Sequence, residues 1–264
     1  MHPVVTQRWL RENLADSGLR LVDCRYEVGR PAAGREAYLA GHLPGAAYLD
    51  VHEDLSGTGG SGRHPLPTAE EFATAARSAG IGAGSTIVAY DQRAAGGAAR
   101  LWWLLRHFGH GRVAVLEGGI HGWTGPLQEG VERIPPGDFV SRERHDTVDH
   151  ADVLAHLGEP GRLLLDARAP ERYRGEVEPL DPVAGHIPGA RNLPFTQSAD
   201  LPSDVVDGGD DIVVYCGSGV TACVVLLNLE ARGRTARLYP GSWSDWSDRG
   251  LPIATGDEPD PDQT

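Results

Sequence analysis

The sequence predicts a duplicated α/β protein: two copies of one domain, each a mainly parallel central sheet flanked by helices on both faces. Three observations lead there. The chain repeats itself: L-V-D-C-R at 21–25 returns as L-L-D-A-R at 164–168, and G-H-L-P-G-A at 41–46 returns as G-H-I-P-G-A at 185–190. I-V-A-Y-D-Q (87–92) lines up with I-V-V-Y-C-G (212–217), and L-E-G-G-I-H-G-W (116–123) with L-Y-P-G-S-W-S-D-W (238–246). Order and spacing agree, and a period of about 125–145 residues is a domain duplication, since solenoid units run ~20–50. Short runs apolar on consecutive positions form the second observation, and helical periodicity between those runs the third.

The runs are Leu19–Val22, Ile87–Tyr90, Arg162–Leu165 and Ile212–Tyr215. Such segments suit strands buried on both faces, as in a parallel sheet. Thr68 with Glu71 three residues later is a capping box. Phe72, Ala75, Ala76 and Ala79 then share one helical face, and Gly80 is the stop. Leu101, Leu104, Leu105 and Phe108 repeat the pattern before Gly109, and Val224–Leu229 does so before Gly233. Residues 1–123 are read as the N-terminal domain and 148–255 as the C-terminal domain. The stretch 124–147 is polar, rich in Gly and Pro and without period, so it reads as an interdomain linker. Residues 256–264 read as a disordered acidic tail.

The composition narrows the function. In 264 residues, 40% hydrophobic and 23% charged residues make a globular chain. No stretch approaches the ~20 apolar residues of a membrane span, and the N-terminus lacks the basic and apolar regions of a secretory signal. A formal charge of −13 repels polyanions, so nucleic acid and anionic membranes are poor partners. Cys24, Cys216 and Cys223 are an odd number with no C-x-x-C pair, which argues against a disulfide framework and a zinc site. Free thiols point to the cytoplasm, and no metal or organic cofactor is expected.

The candidate site is C-G-S-G-V-T-A, Cys216 to Ala222. It follows a buried strand and precedes an apolar helix, where an open α/β sheet binds its ligands. A loop of small residues there turns successive backbone N–H groups inward, with the helix N-terminus behind them. Those dipoles favour the charged form of a thiol at the mouth of the loop. Cys24, in a buried strand, and Cys223, inside the helix, read as structural cysteines. A phosphatase would carry an arginine six residues after the cysteine. Ala222 stands there, so that chemistry is excluded.

The paired D-x-R, G-H-[LI]-P-G-A and cysteine-loop motifs resemble the rhodanese superfamily in its tandem form, over roughly residues 5–255. C-G-S-G-V-T-A with the downstream G-S-W-S-D-W is similar to the 3-mercaptopyruvate sulfurtransferase branch. The resemblance implies a sulfurtransferase with one catalytic domain, the C-terminal one, and Asp91 stands where Cys216 stands in the other copy. It implies that Cys216 accepts sulfur as a persulfide, cradled by Gly217, Ser218, Gly219, Val220 and Thr221. Arg172 in E-R-Y-R-G matches an arginine that holds the substrate anion. His64 in R-H-P-L-P matches a first-domain histidine that faces the site. The branch often has a second arginine before G-H-I-P-G, where this chain has Leu180, and an acidic residue where His52 falls in line.

Bland alternatives accompany several of these residues. Arg172 as a solvated charge and His64 as a loop cap are the structural readings. Trp243 and Trp246 read as core, and Asp23 and Asp166, each two before an Arg, as buried ion pairs. The neutral loop after Cys216 favours a donor with one carboxylate, mercaptopyruvate, over doubly charged thiosulfate. The acceptor is then a thiol, a thioredoxin-like protein included, or cyanide. Thiosulfate sulfurtransferase is the alternative activity, and a non-catalytic rhodanese-like binding module the rival from another class.

Overall fold

The computed structural model describes residues 1–93, 96–208 and 211–257. Two compact units account for them. Met1–Gly59 with Leu66–His145 makes the first, and Gly60–Pro65 with the described residues from Asp146 onward makes the second. The expected acidic tail lies outside the described residues from residue 258 on.

The first unit holds a five-stranded sheet of β1 (Val4–Val5), β2 (Leu19–Asp23), β3 (Ala47–Tyr48), β4 (Thr86–Tyr90) and β5 (Val113–Leu116), in the order β1-β5-β4-β2-β3. In the second, β6 (Arg162–Asp166), β7 (Arg191–Asn192), β8 (Asp211–Tyr215) and β9 (Arg237–Leu238) run β7-β6-β8-β9. Every pair within the sheets is parallel. Ile87 to Tyr90 and Ile212 to Tyr215 are all buried, as strands covered on both sides require. Helices flank each sheet. One over Ala69–Ser78 carries the Thr68–Glu71 capping box, and one over Ala222–Ala231 is buried along most of its length.

Each unit stitches its G-H-x-P-G turn in the same way. Tyr38 stacks on His42 with ring centroids 4.1 Å apart, and Tyr173 on His186 at 3.7 Å. Each histidine Nδ1 donates to the carbonyl of the tyrosine it stacks on. The hydroxyls of Tyr90 and Tyr215, at the ends of β4 and β8, accept the N–H of Leu43 and Ile187. The D-x-R motifs form buried ion pairs, with Arg25 on Asp23 at 2.6 Å and Arg168 on Asp166 at 2.7 Å. Breaking such a pair on one side costs about 3–5 kcal/mol.

Most of segment 124–147 runs along the first unit. Gln128 bridges His42, Phe139 is buried, and Arg142 donates its N–H to the Phe108 carbonyl. In the second sheet the chain steps from β6 outward to β7, then back across to β8. The crevice beyond the carboxyl ends of β6 and β8 is therefore a topological switch point, the place where open α/β sheets bind ligands. Cys216 follows β8 directly, and Arg168 and Arg172 follow β6.

Candidate active site

Cys216 leaves the sheet buried, and the loop curls back over it. The Gly219 N–H donates to the Cys216 Sγ at 3.1 Å. Gly219 has φ +77°, in the left-handed region where glycine is at ease. Gly217, Ser218 and Val220 are buried too, while Thr221 is half-buried and its hydroxyl does not cap the helix that starts at Ala222. Cys223, in the first turn of that helix, donates its thiol to the Gly219 carbonyl at 3.3 Å. Burial pushes the Cys24 thiol up, well above the usual thiol range, and the carboxylate of Asp23 adds to the rise.

A second loop, G-S-W-S, holds the first from behind. The Cys216 N–H donates to the Ser242 Oγ at 3.2 Å. The N–H groups of Trp243 and Ser244 donate to the carbonyls of Cys216 and Gly217. Ser242 takes φ +55°, the one non-glycine residue with positive φ among those described, and strain of this kind persists where its surroundings impose it. Trp243 and Trp246 are fully buried core. Sequence reasoning missed Ser242. The signal was available, because the repeat sets Ser242 against Gly119 of the first copy, which also has φ +55°.

The charged wall comes from three segments. Arg172, in the short helix Pro170–Tyr173, gives Nη2 to Glu178 at 2.6 Å and to Asp181 at 3.4 Å. Its side chain is 17% exposed, which excludes the solvated-charge reading. Arg168 reaches Glu178 at 3.3 Å and lies over the Trp243 ring. Arg63 pairs with Asp181, and its N–H donates to the Ser244 Oγ at 3.1 Å. His64 Nδ1 meets the Ser218 Oγ at 2.7 Å. These contacts explain why Gly60–Pro65 counts with the second unit, although the sequence assigned it to the first domain. Leu180 is 43% exposed, and only its backbone N–H enters the cluster, on Glu178. Among the described residues no three His, Cys, Asp or Glu side chains gather as for a metal ion. No helix among them is long and apolar enough to cross a membrane.

Rhodanese-like domain models match residues 6–126 and 149–249. The chain belongs to the rhodanese family. It is 41% identical to a protein of Pseudomonas aeruginosa named a probable 3-mercaptopyruvate sulfurtransferase, over 96% of this chain and 98% of the relative. It is 38% identical to SseB of Mycobacterium tuberculosis, provisionally named a thiosulfate sulfurtransferase, over 92% and 93%. The crystal structure of SseA from Escherichia coli, a 3-mercaptopyruvate sulfotransferase, superposes with a TM-score of 0.80 at 35% identity, over 92% of this chain and all of that one. This tandem rhodanese is a sulfurtransferase enzyme.

The two rhodanese copies diverge where chemistry would occur. In the first, Asp91 follows β4 and its Oδ2 accepts the N–H groups of Gly96 and Ala98 at 3.1 and 3.2 Å. The carboxylate thus occupies donors at the start of its own helix, where an anion is favoured. Ile120 and His121 donate to the carbonyls of Asp91 and Gln92, as Trp243 and Ser244 do to those of Cys216 and Gly217. A side chain at Gly119 would strike the Asp91 carbonyl at 2.3 Å. The second copy leaves room for Ser242 and puts its hydroxyl on Cys216.

Proposed function

We propose that Cys216 carries sulfur from 3-mercaptopyruvate to a thiol or cyanide through a persulfide. The carrying observation is the Cys216 sulfur facing the Gly219 N–H with the Arg172 head beside Gly217. A methyl placed on Gly217 would lie 3.4 Å from that head. The names of the relatives support the donor class.

In the first step the Cys216 thiolate attacks the donor sulfur. The C–S bond breaks, its electron pair passes to C3 as the enolate of pyruvate, and that carbon takes a proton. His64 and Ser218, joined at 2.7 Å, are the pair that supplies it. The loop N–H groups hold the charged persulfide. In the second step an acceptor thiolate or cyanide attacks the outer sulfur, the S–S bond breaks, and the Cys216 thiolate returns. A thioredoxin-like protein of the cytoplasm would suit the acceptor role, because its thiolate can attack the outer sulfur of the persulfide.

The test compares mercaptopyruvate with thiosulfate, using one acceptor and mass analysis of the donor-treated protein. A persulfide on Cys216 and higher kcat/KM for mercaptopyruvate are expected. A preference of about tenfold or more for thiosulfate overturns the donor, and an unmodified Cys216 overturns the mechanism.

A further inference from the structure

His64, one half of the proton pair, sits on a segment with little conformational preference of its own. It ends the run S-G-T-G-G-S-G-R-H (56–64), in which four residues are glycine. Gly60 and Gly62 take φ +111° and +84°. Backbone of this kind has the widest conformational choice, so what fixes the histidine must come from contacts. We infer that the Asp245 carboxylate, through the Ser61 hydroxyl and Arg249, seats this segment and so positions His64 against Ser218. This inference rests on the proton-delivery reading above and adds to it two positioning residues, Ser61 and Asp245.

Asp245 is 2% exposed, and both of its oxygens are met. Oδ2 accepts the Tyr239 hydroxyl and Oδ1 accepts the Arg249 Nε, each at 2.6 Å. The Ser61 hydroxyl donates to the same carboxylate and accepts from Arg249 Nη2 at 3.2 Å. Three side chains thus close a ring, and Ser61 is the member that reaches the histidine segment. Burial opposes the charge on Asp245, but hydrogen bonds from Tyr239, Ser61 and Arg249 outweigh it and hold the carboxyl below the usual carboxylate range. An ionised carboxylate makes these bonds charge-assisted, the strong kind. Gly241 leaves room for it, since a side chain there would meet Asp245 Oδ2 at 2.5 Å.

The ring stands where it can fix both halves of the proton pair. Asp245 lies in the helix Ser242–Asp248, whose first residues hold Cys216 and Gly217 from behind. Ser218 follows in that same loop. On the other side, Ser61 is three residues from His64, and between them the Arg63 N–H is fixed on the Ser244 Oγ.

The duplication supplies an independent observation. Backbone bonds set Trp243 against Ile120 and Ser244 against His121. In the same register Asp245 falls on Gly122, and their N–H groups donate to the carbonyls of Gly241 and Gly118. Trp246 falls on Trp123, and both pack on their cores. Tyr239 falls on Leu116. The copy without a cysteine therefore keeps the tryptophan and lacks the carboxylate and the hydroxyl that meets it. Packing explains the tryptophan in both copies, whereas the acid accompanies the nucleophile.

The experiment measures kcat and KM for 3-mercaptopyruvate. The proteins are wild type, Ser61→Ala, Ser61→Thr, Asp245→Asn, His64→Ala and the double variant Ser61→Ala/His64→Ala. Ser61→Ala should lower kcat about tenfold with KM within about threefold of wild type, and Ser61→Thr, which keeps the hydroxyl, should recover most of the loss. Asp245→Asn, which cannot hold Arg249 by charge, should lower kcat at least as much. In the His64→Ala background, Ser61→Ala should change kcat by less than about twofold, because a residue that acts through His64 has nothing left to position. A merely structural role would lower kcat equally in both backgrounds. That result, or a Ser61→Ala kcat within about twofold of wild type, overturns this inference and leaves the proton reading standing. Ser61 is half-buried, and its variants decide the matter if Asp245→Asn fails to fold. A His64→Ala kcat within about threefold of wild type defeats the proton reading, and this inference with it.

Discussion

The Gly219 N–H points at the Cys216 sulfur from 3.1 Å, so the atom that would bear negative charge has a fixed backbone donor. Cys24 has the opposite setting. It is fully buried, and Asp23 and Asp91 oppose its ionisation.

Sulfur loading should follow that contrast. Donor treatment should add sulfur to the peptide carrying Cys216 and to neither Cys24 nor Cys223. Cys216→Ser should abolish transfer, whereas Cys24→Ser and Cys223→Ser keep most of it. Retained turnover in the Cys216 variant would remove the persulfide from the mechanism.

Ser242 offers a test of loop positioning. Its hydroxyl accepts the Cys216 N–H, and its backbone is left-handed at φ +55°. Ser242→Gly removes the hydroxyl but suits the backbone. Ser242→Ala removes the hydroxyl and keeps the strain, which for alanine is about 1–2 kcal/mol. An unsatisfied buried N–H costs about 1–3 kcal/mol more. Alanine should therefore be the least stable of the three, below glycine by the strain and below wild type by the hydroxyl, read by urea unfolding. Equal stability of all three would mean that the hydroxyl and the strain are both unimportant.

The central strands and the cysteine loop were legible because each rests on local pattern. Ile212–Tyr215 is apolar at every position, and Cys216 falls where strand, small-residue loop and helix meet. Strands of two residues, such as Val4–Val5 and Arg237–Leu238, are too short to show any period. Arg63 was not legible for a different reason. It lies in the aperiodic stretch S-G-R-H-P, and its partner Asp181 is 118 residues away. His64 was reached only through family resemblance, since Ser218 is 154 residues distant.

Asp181 predicts a pH dependence of stability. Burial raises its pKa and Glu178 adds to that, while Arg63 and Arg172 pull it down without cancelling the rise. The folded carboxyl thus holds its proton more tightly than the unfolded one. Its contribution is fully present below the unfolded value and is lost as the pH rises through the raised folded value. Asp181→Asn should flatten this decline in unfolding free energy between acidic and neutral pH, whatever its effect on the absolute value. An unchanged slope in the variant would show that Asp181 titrates alike in both states.

The contact between His64 and Ser218 separates the two donors. Mercaptopyruvate leaves a carbon anion that must be protonated, so a proton donor at the site lowers its barrier. Thiosulfate leaves sulfite, whose charge rests on oxygen and sulfur and which needs no proton on carbon. Ser218→Ala and His64→Ala should therefore lower kcat with mercaptopyruvate about 100-fold, as for loss of a general acid. The same variants should keep thiosulfate turnover within about tenfold of wild type, on the same kinetic scale. The two readouts come from one protein preparation with one acceptor, so misfolding, which depresses both, does not imitate the expected split. Equal loss with both donors would place the pair in binding the persulfide or in holding the loop, and would remove it from proton delivery.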